Sequence, residues 1–403
     1  MLDVAGRRER RARFRRSRHL AGLEALFVQV LQLCAEAGMV RLGHVALDGT
    51  KVQANASKHK AMSYERMVAR EAQLTTEVEA LLTRAEQIDG QEDARWGKGR
   101  RGDELPEELA IRQRRLSKLR EAKARLEEGA KIARTEKLRS RAEKAKREAL
   151  EADEENLERA LKKATDAVIV AQAAERQVQK TQSDREDAST RSRTVDEMPV
   201  HRVKHLATGI PKAKAQLNFT DPESQIMKSG SRFLQGDNGQ AAVDDGSQVI
   251  VAQGLSNQAP DVEYLRPMLL NIEQMMGRLP RKLSADNGYW SEDNARFCTE
   301  VGIDAYIATG RLKHGEAPPP VRGRPPRSLD VKGRTSRKLR TKTGRAVYAK
   351  RKAIVEPVFG QCKEGRGFRR FLLRGVSTAR SEWSLICTGH NLLKLYRASL
   401  AAR

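Results

Sequence analysis

The chain has 403 residues, enough to bury a large core or to divide into two or three domains. Its 77 lysines and arginines against 53 acidic residues leave a net charge of +24, an excess that favours a polyanionic partner, nucleic acid before membrane surface. No apolar stretch approaches the roughly 20 residues of a spanning helix, and the basic N-terminus lacks a signal-peptide core. Four scattered cysteines, Cys34, Cys298, Cys362 and Cys387, exclude a disulfide framework or zinc knuckle, so a soluble cytoplasmic protein without membrane association is expected.

The first 20 residues carry eight arginines, which suits phosphate contacts or a solvated tail equally. From Ala21 to Ala37, Leu23, Leu26, Phe27, Val30 and Leu31 recur at helical spacing, and Gly38 supplies a stop. The apolar run LGHVAL, from Leu42 to Leu47, predicts a buried strand that delivers Asp48 at its tip. Residues from about 60 to 190 are rich in Ala, Glu, Lys, Arg and Gln, a helical composition broken between Trp96 and Gly102, with Pro106 suited to a new helix start. Within them, Leu150, Leu157, Leu161 and Val168 are spaced as the seam of a helical hairpin or coiled coil.

After Pro211 the texture turns mixed. Gly239–Val243 and Gln248–Gln253 flank the turn Asp244-Asp245-Gly246, a hairpin pattern. A helix is expected over Asp261–Met276, a strand over Lys282–Asp286, a Ser291-capped helix to about Val301 and a strand over Asp304–Ala308. Residues 310–352 hold 15 Lys or Arg against Glu316 and Asp330, and read as a basic, largely irregular arm. Two helices follow, Val347–Lys363 and about Thr378–Ala398. Strands alternating with helices predict an α/β fold with a mixed sheet.

Asp48 and Asp286 each end an apolar strand before a glycine-containing turn, which puts both carboxylates at the carboxyl edge of a sheet, where a turn-capping role is the alternative. Glu356 lies in a basic helix. Three convergent carboxylates are oxygen ligands suited to Mg²⁺ or Mn²⁺, and two such ions, about 3.5 to 4 Å apart, would support in-line phosphodiester displacement. Asp244, Asp245, Asp261 and Glu292 are explained by a hairpin turn, a helix N-cap and a first helical turn. Trp290 is a candidate to stack on a splayed base, packed core being the alternative. Lys51, Asn55, Lys58, His59 and Lys60 border either a DNA groove or plain solvent.

LDGTKVQANASKHKAMSYERM from Leu47, LSADNGYWSEDN from Leu283 and YAKRKAIVEPVFGQCKEGRGFRRF from Tyr348 resemble the successive catalytic blocks of DDE transposases of bacterial insertion sequences. Tyr348, then Arg351 or Lys352, then Glu356, then Lys363 follow that family's Tyr, basic, Glu, Lys pattern, and the resemblance runs from about Ala21 to the C-terminus. It implies a ribonuclease H-like mixed sheet flanked by helices, with Asp48 on the first strand, Asp286 on the fourth and Glu356 on the following helix. A long helical, coiled-coil-like insertion would separate the first and second strands.

The implied division is a basic N-terminal helical segment (1–40), the first core strand (41–60), the helical insertion (61–215), the rest of the core (216–309), the basic arm (310–346) and C-terminal catalytic helices (347–403). The resemblance further implies two divalent ions on Asp48, Asp286 and Glu356, with DNA contacts from Tyr348, Arg351, Lys352, Lys363, Lys51 and Trp290. Its partners would be double-stranded DNA, as element ends and target, and a second copy of the chain in a synaptic complex. The setting would be the bacterial nucleoid.

Relatives usually begin with a further DNA-binding region, so a truncated copy is expected. The alternatives to an active transposase are an inactive DNA-binding derivative and a nuclease of the same fold. Asp237, Gly239 and Asn287 depart from the residues expected there, which are Tyr, Ala and Ala.

Overall fold

A computed structural model describes residues 20–96, 107–183, 198–310, 319–326 and 328–401. The expected chain break between Trp96 and Gly102 and the arginine-rich first residues fall almost wholly outside them. The chain divides into two units: one takes Met1–Lys58, Ser192–His201 and Glu223–Arg403, the other His59–Arg191 and Arg202–Pro222.

The first unit opens with α1 (Leu20–Glu36), which buries Phe27, Val30 and Leu31 and ends where Gly38 adopts a positive φ of 71°. Strand β1 (His44–Gln53) follows, and Asp48 lies within it rather than at its tip. The second unit then holds β2 (Ala61–Ser63), three long helices, α2 (Tyr64–Trp96), α3 (Glu107–Leu150) and α4 (Glu154–Ser183), and β3 (Gln216–Asn218), which pairs antiparallel with β2.

The leucine seam expected in this unit is corrected. Leu150, Leu157 and Leu161 are exposed, and α3 meets α4 through Ala145, Ala149 and Ala164. Alanine repeats at nearly the same helical interval as leucine, and its missing bulk lets the helix backbones approach closely, so periodicity alone does not choose between the two rows.

Back in the first unit come β4 (Gln225–Ser229), β5 (Arg232–Asp244) and β6 (Ile250–Ser256), then α5 (Leu265–Met276), β7 (Lys282–Ala285), α6 (Glu292–Glu300) and β8 (Asp304–Ile307). The six-stranded sheet runs β4-β5-β1-β7-β8, with β6 also paired to β5. Strands β1, β5 and β6 are antiparallel, while β1, β7 and β8 are parallel. This mixed sheet is compatible with a ribonuclease H-like core. The expected hairpin is present: Asp244 is fully buried and accepts from the Leu42 amide at 2.7 Å and the Gly246 amide at 3.0 Å, a turn-holding role.

The basic arm is more ordered than expected. It contains α7 (Val331–Arg340), capped by Asp330, which accepts from the Gly333 amide at 2.7 Å. Thr341 in turn caps α8 (Lys342–Gly360) through the Gly344 amide at 3.0 Å. Two such caps outweigh the charge density that reads as irregular. Helix α8 passes into a π-helical turn, Gln361–Gly365, and α9 (Val376–Ala401) closes the chain. Pro357, inside α8, cannot donate to the Ala353 carbonyl, and the Gln248 side chain fills that bond at 2.9 Å.

Candidate active site

Strand register brings the two aspartates together. The parallel ladder of β1 and β7 ends at the pair Leu47 and Ala285, so Asp48 and Asp286 leave it side by side on strands about 4.8 Å apart. Beyond that point β1 continues against β5, with Asp48 opposite Ala241, and its end at Gln53 also bridges to Arg370. Asp286 then caps a short turn, its Oδ1 accepting from the Gly288 amide at 2.8 Å.

Alternation along β1 sends Asp48 towards α8. There its Oδ2 accepts from Arg351 Nη1 at 2.7 Å, while Oδ1 accepts from the Gly49 amide at 2.8 Å. Burial pushes the Asp48 carboxyl above its usual range; Arg351 works against that shift and the neighbouring Asp286 adds to it. Burial alone would lower the Arg351 guanidinium, but Asp48 and Tyr348 more than offset it. Arg351 is itself buried, lies 5.9 Å from the Tyr348 ring, and keeps an Nε donor without a partner.

The structure thus distinguishes the two cations that the sequence leaves open. Arg351 points inward to Asp48, whereas Lys352 is exposed. Glu356 shares the exposed side of α8 with Lys352, four residues earlier, and stands about 140° around the helix from Arg351. Among the described residues, no three His, Cys, Asp or Glu side chains are gathered closely enough to hold a metal ion. Lys363, in the π-helical turn, donates to the Lys51 carbonyl at 3.1 Å, and burial lowers its ammonium pKa. The Lys51 side chain is engaged with Asp261 at 3.2 Å and the Ala259 carbonyl at 2.7 Å. Trp290 is half-buried against the core, and Asn287 is exposed.

Gly239 has a structural reason. A Cβ there would stand 3.0 Å from the ring of the buried Trp383, whose Nε1 donates to the Gln240 carbonyl at 3.1 Å. Asp237 is buried on β5 opposite Val52.

The sequence profile of the family described as "Transposase DDE domain" matches residues 195–392. Those residues belong to that family. The match takes in Asp286 and Glu356 and leaves Asp48 outside it; the β1–β7 register sets Asp48 beside Asp286. Comparisons with curated proteins and with solved structures gave no match. A transposase DDE domain acts on DNA and is generally dependent on divalent metals. No helix among the described residues is long and apolar enough to cross a membrane.

The two aspartates fit a hard divalent cation: they are oxygen ligands, adjacent, partly desolvated and mutually repulsive. Asp261 is the residue that sequence reasoning missed. Expected as a helix N-cap, it makes no side-chain capping bond and instead lies against Gly49 and Gly288, beside the two aspartates.

Proposed function

We propose that this chain is a DDE transposase that cleaves and transfers DNA strands at insertion-sequence ends, using Asp48, Asp286 and Glu356 to hold two divalent ions, Mg²⁺ or Mn²⁺. The observation that carries this reading is the common exit of Asp48 and Asp286 from adjacent parallel strands, with the Asp48 carboxylate turned towards the helix that bears Glu356. Bound ions would activate a water or 3′-hydroxyl and stabilise the leaving oxygen of the scissile phosphodiester.

The chain's own residues then have separate tasks. Asp48 and Asp286 would supply carboxylate oxygens from the sheet, and Glu356, exposed on α8 and not gathered with them among the described residues, would have to turn to them to supply the third. Arg351 neutralises Asp48 in the chain alone, and exchanges that carboxylate for a DNA phosphate, to which a guanidinium donates in fork geometry. Tyr348, Lys352, Lys363 and Trp290 contact DNA around the cleaved bond. The net charge of +24 draws the polyanion in, and a second copy of the chain completes the synaptic complex.

The test uses the full chain, Mg²⁺ or Mn²⁺ and labelled element ends. Strand nicking followed by joining is expected, and Asp48→Asn, Asp286→Asn and Glu356→Gln should each abolish both while sparing DNA binding. Activity that survives any one of the three overturns the assignment. Hydrolysis without joining identifies a nuclease, and salt-sensitive binding without chemistry identifies an inactive DNA-binding derivative.

A further inference from the structure

Strand alternation gives the site a second side. Asp48 faces α8, whereas Gly49 and Lys51 face the opposite surface of the sheet. On that surface Asp261 Oδ1 accepts from Asn238 Nδ2 at 2.6 Å, Gln240 Nε2 at 3.0 Å and Lys51 Nζ at 3.2 Å. Asn238 and Gln240 are fully buried neighbours on β5, and Gln240 Oε1 accepts from the hydroxyl of the buried Tyr289. Burial lowers the Lys51 ammonium pKa; Asp261, and then Asp286 and Asp48, act in the opposite sense.

Strand β1 at Gly49 and the turn after Asp286 both come up against this one carboxylate. A Cβ on Gly49 would stand 3.0 Å from Asp261 Oδ1 and would collide with Gln240 Nε2. On Gly288 it would stand 3.2 Å from Asp261 Oδ2 and 3.0 Å from Asp286 Oδ1. Neither glycine has a positive φ, so what each position requires is the space a side chain would fill, not left-handed backbone. The glycines of Asp48-Gly49, in β1, and of Asp286-Asn287-Gly288, in the turn after β7, admit Asp261 behind both aspartates.

We infer that Asp261 is a positioning residue for the strand cleavage proposed above: it braces strand β1 behind Asp48 and the turn that follows Asp286, and anchors Lys51 beside them. The inference rests on that reading for its catalytic consequence but not for its geometry. Asp261 acts through β1 at Gly49 and through the turn at Gly288, while Asn238, Gln240 and Lys51 fix it in place. Partners of this kind, one layer behind the ligands, are worth about 10 to 100-fold in metal affinity or rate.

Asp261→Asn keeps the shape and removes the charge, while Asp261→Ala removes both. With labelled DNA ends and the full chain, kcat is expected to fall about tenfold in the first and about 100-fold in the second. The Mg²⁺ concentration for half-maximal rate should rise, and KM for DNA should stay within about threefold. Glu263→Gln, an exposed change two residues on, should behave as wild type. Independently of turnover, amide exchange at Gly49 and Gly288 should quicken about tenfold in Asp261→Ala.

Wild-type kcat and metal requirement in both Asp261 variants overturn the inference while leaving the proposed function standing. A loss confined to KM, or unchanged amide exchange, overturns it as well. Quickened exchange in a chain that never cleaves DNA supports the brace and removes the transposase reading. Asp261→Asn, nearly isosteric, decides the matter if Asp261→Ala does not fold.

Discussion

The two units solve the burial problem with different materials. In the sheet unit the interior is made of large side chains: Trp383, Tyr264, Tyr289, Phe27 and Phe371 are almost wholly enclosed, and Trp383 lies against Phe359 and Phe368. In the helical unit the α3–α4 contact is a row of alanines, while charged pairs such as Lys123–Glu71 at 2.8 Å and Lys163–Glu148 at 2.8 Å decorate the helix faces. A fully buried aromatic removes roughly 150 to 250 Å² from water, whereas exposed ion pairs contribute about 0 to 1 kcal/mol each. Among the described residues, the largest fully buried aromatics lie in the unit that holds Asp48 and Asp286. The helical unit instead packs α2 on α3 through aliphatic side chains such as Met67, Leu74, Leu116 and Leu126, and α3 on α4 through close backbone approach.

The widest separation between the units is expected for Trp383→Ala. It empties a site that is only 1 % exposed and removes the ring seated on Gly239, at a cost of about 3 to 5 kcal/mol. Urea unfolding followed by circular dichroism measures it, and a loss below about 1 kcal/mol would erase the contrast.

His390 gives a pH-dependent version of the same contrast. Burial lowers its pKa to about 4, and the neutral ring bonds to the Gln248 carbonyl at 2.8 Å. The unfolded chain takes up that proton first, near pH 6.5. Stability therefore falls as pH falls from about 6.5 towards about 4 and loses nothing further from this group below that. The full effect is up to about 3 kcal/mol, and unfolding curves at pH 7 and 4.5 should differ less in His390→Asn than in wild type.

Smaller effects are expected in the helical unit. Ala164→Leu forces bulk into a seam sized for methyl groups and should cost about 1 to 3 kcal/mol, seen as faster amide exchange across α3 and α4. Leu161→Ala removes an exposed side chain and should change stability by less than about 0.5 kcal/mol. A larger loss in Leu161→Ala than in Ala164→Leu would restore the leucine seam.

Much of the sheet unit was legible because its signals are local. The apolar run before Asp48, the turn at Asp244-Asp245-Gly246 and the Ser291 cap each act within a few residues of where they are read. What stayed hidden depends on partners far along the chain. Asp261 looks like any helix cap until Lys51, 210 positions away, is placed beside it. The choice between Arg351 and Lys352 is a question of helix rotation, fixed by burial of Ile354, Val355 and Val358, which no spacing of charges reveals. In the helical unit the periodicity was present but ambiguous, since two rows of α4 repeat at similar intervals and only packing selects the alanines.

The bond from Arg351 to Asp48 also bears on the order of events in the life of the chain. Domains that build themselves around an ion stay unfolded until it arrives. Here a side chain of the same polypeptide already pairs with the aspartate, so on the proposed function the pocket would not depend on an ion for its form, and metal and DNA would displace Arg351. A chelator should then leave the melting curve of such a chain where it was, whatever it does to DNA cleavage.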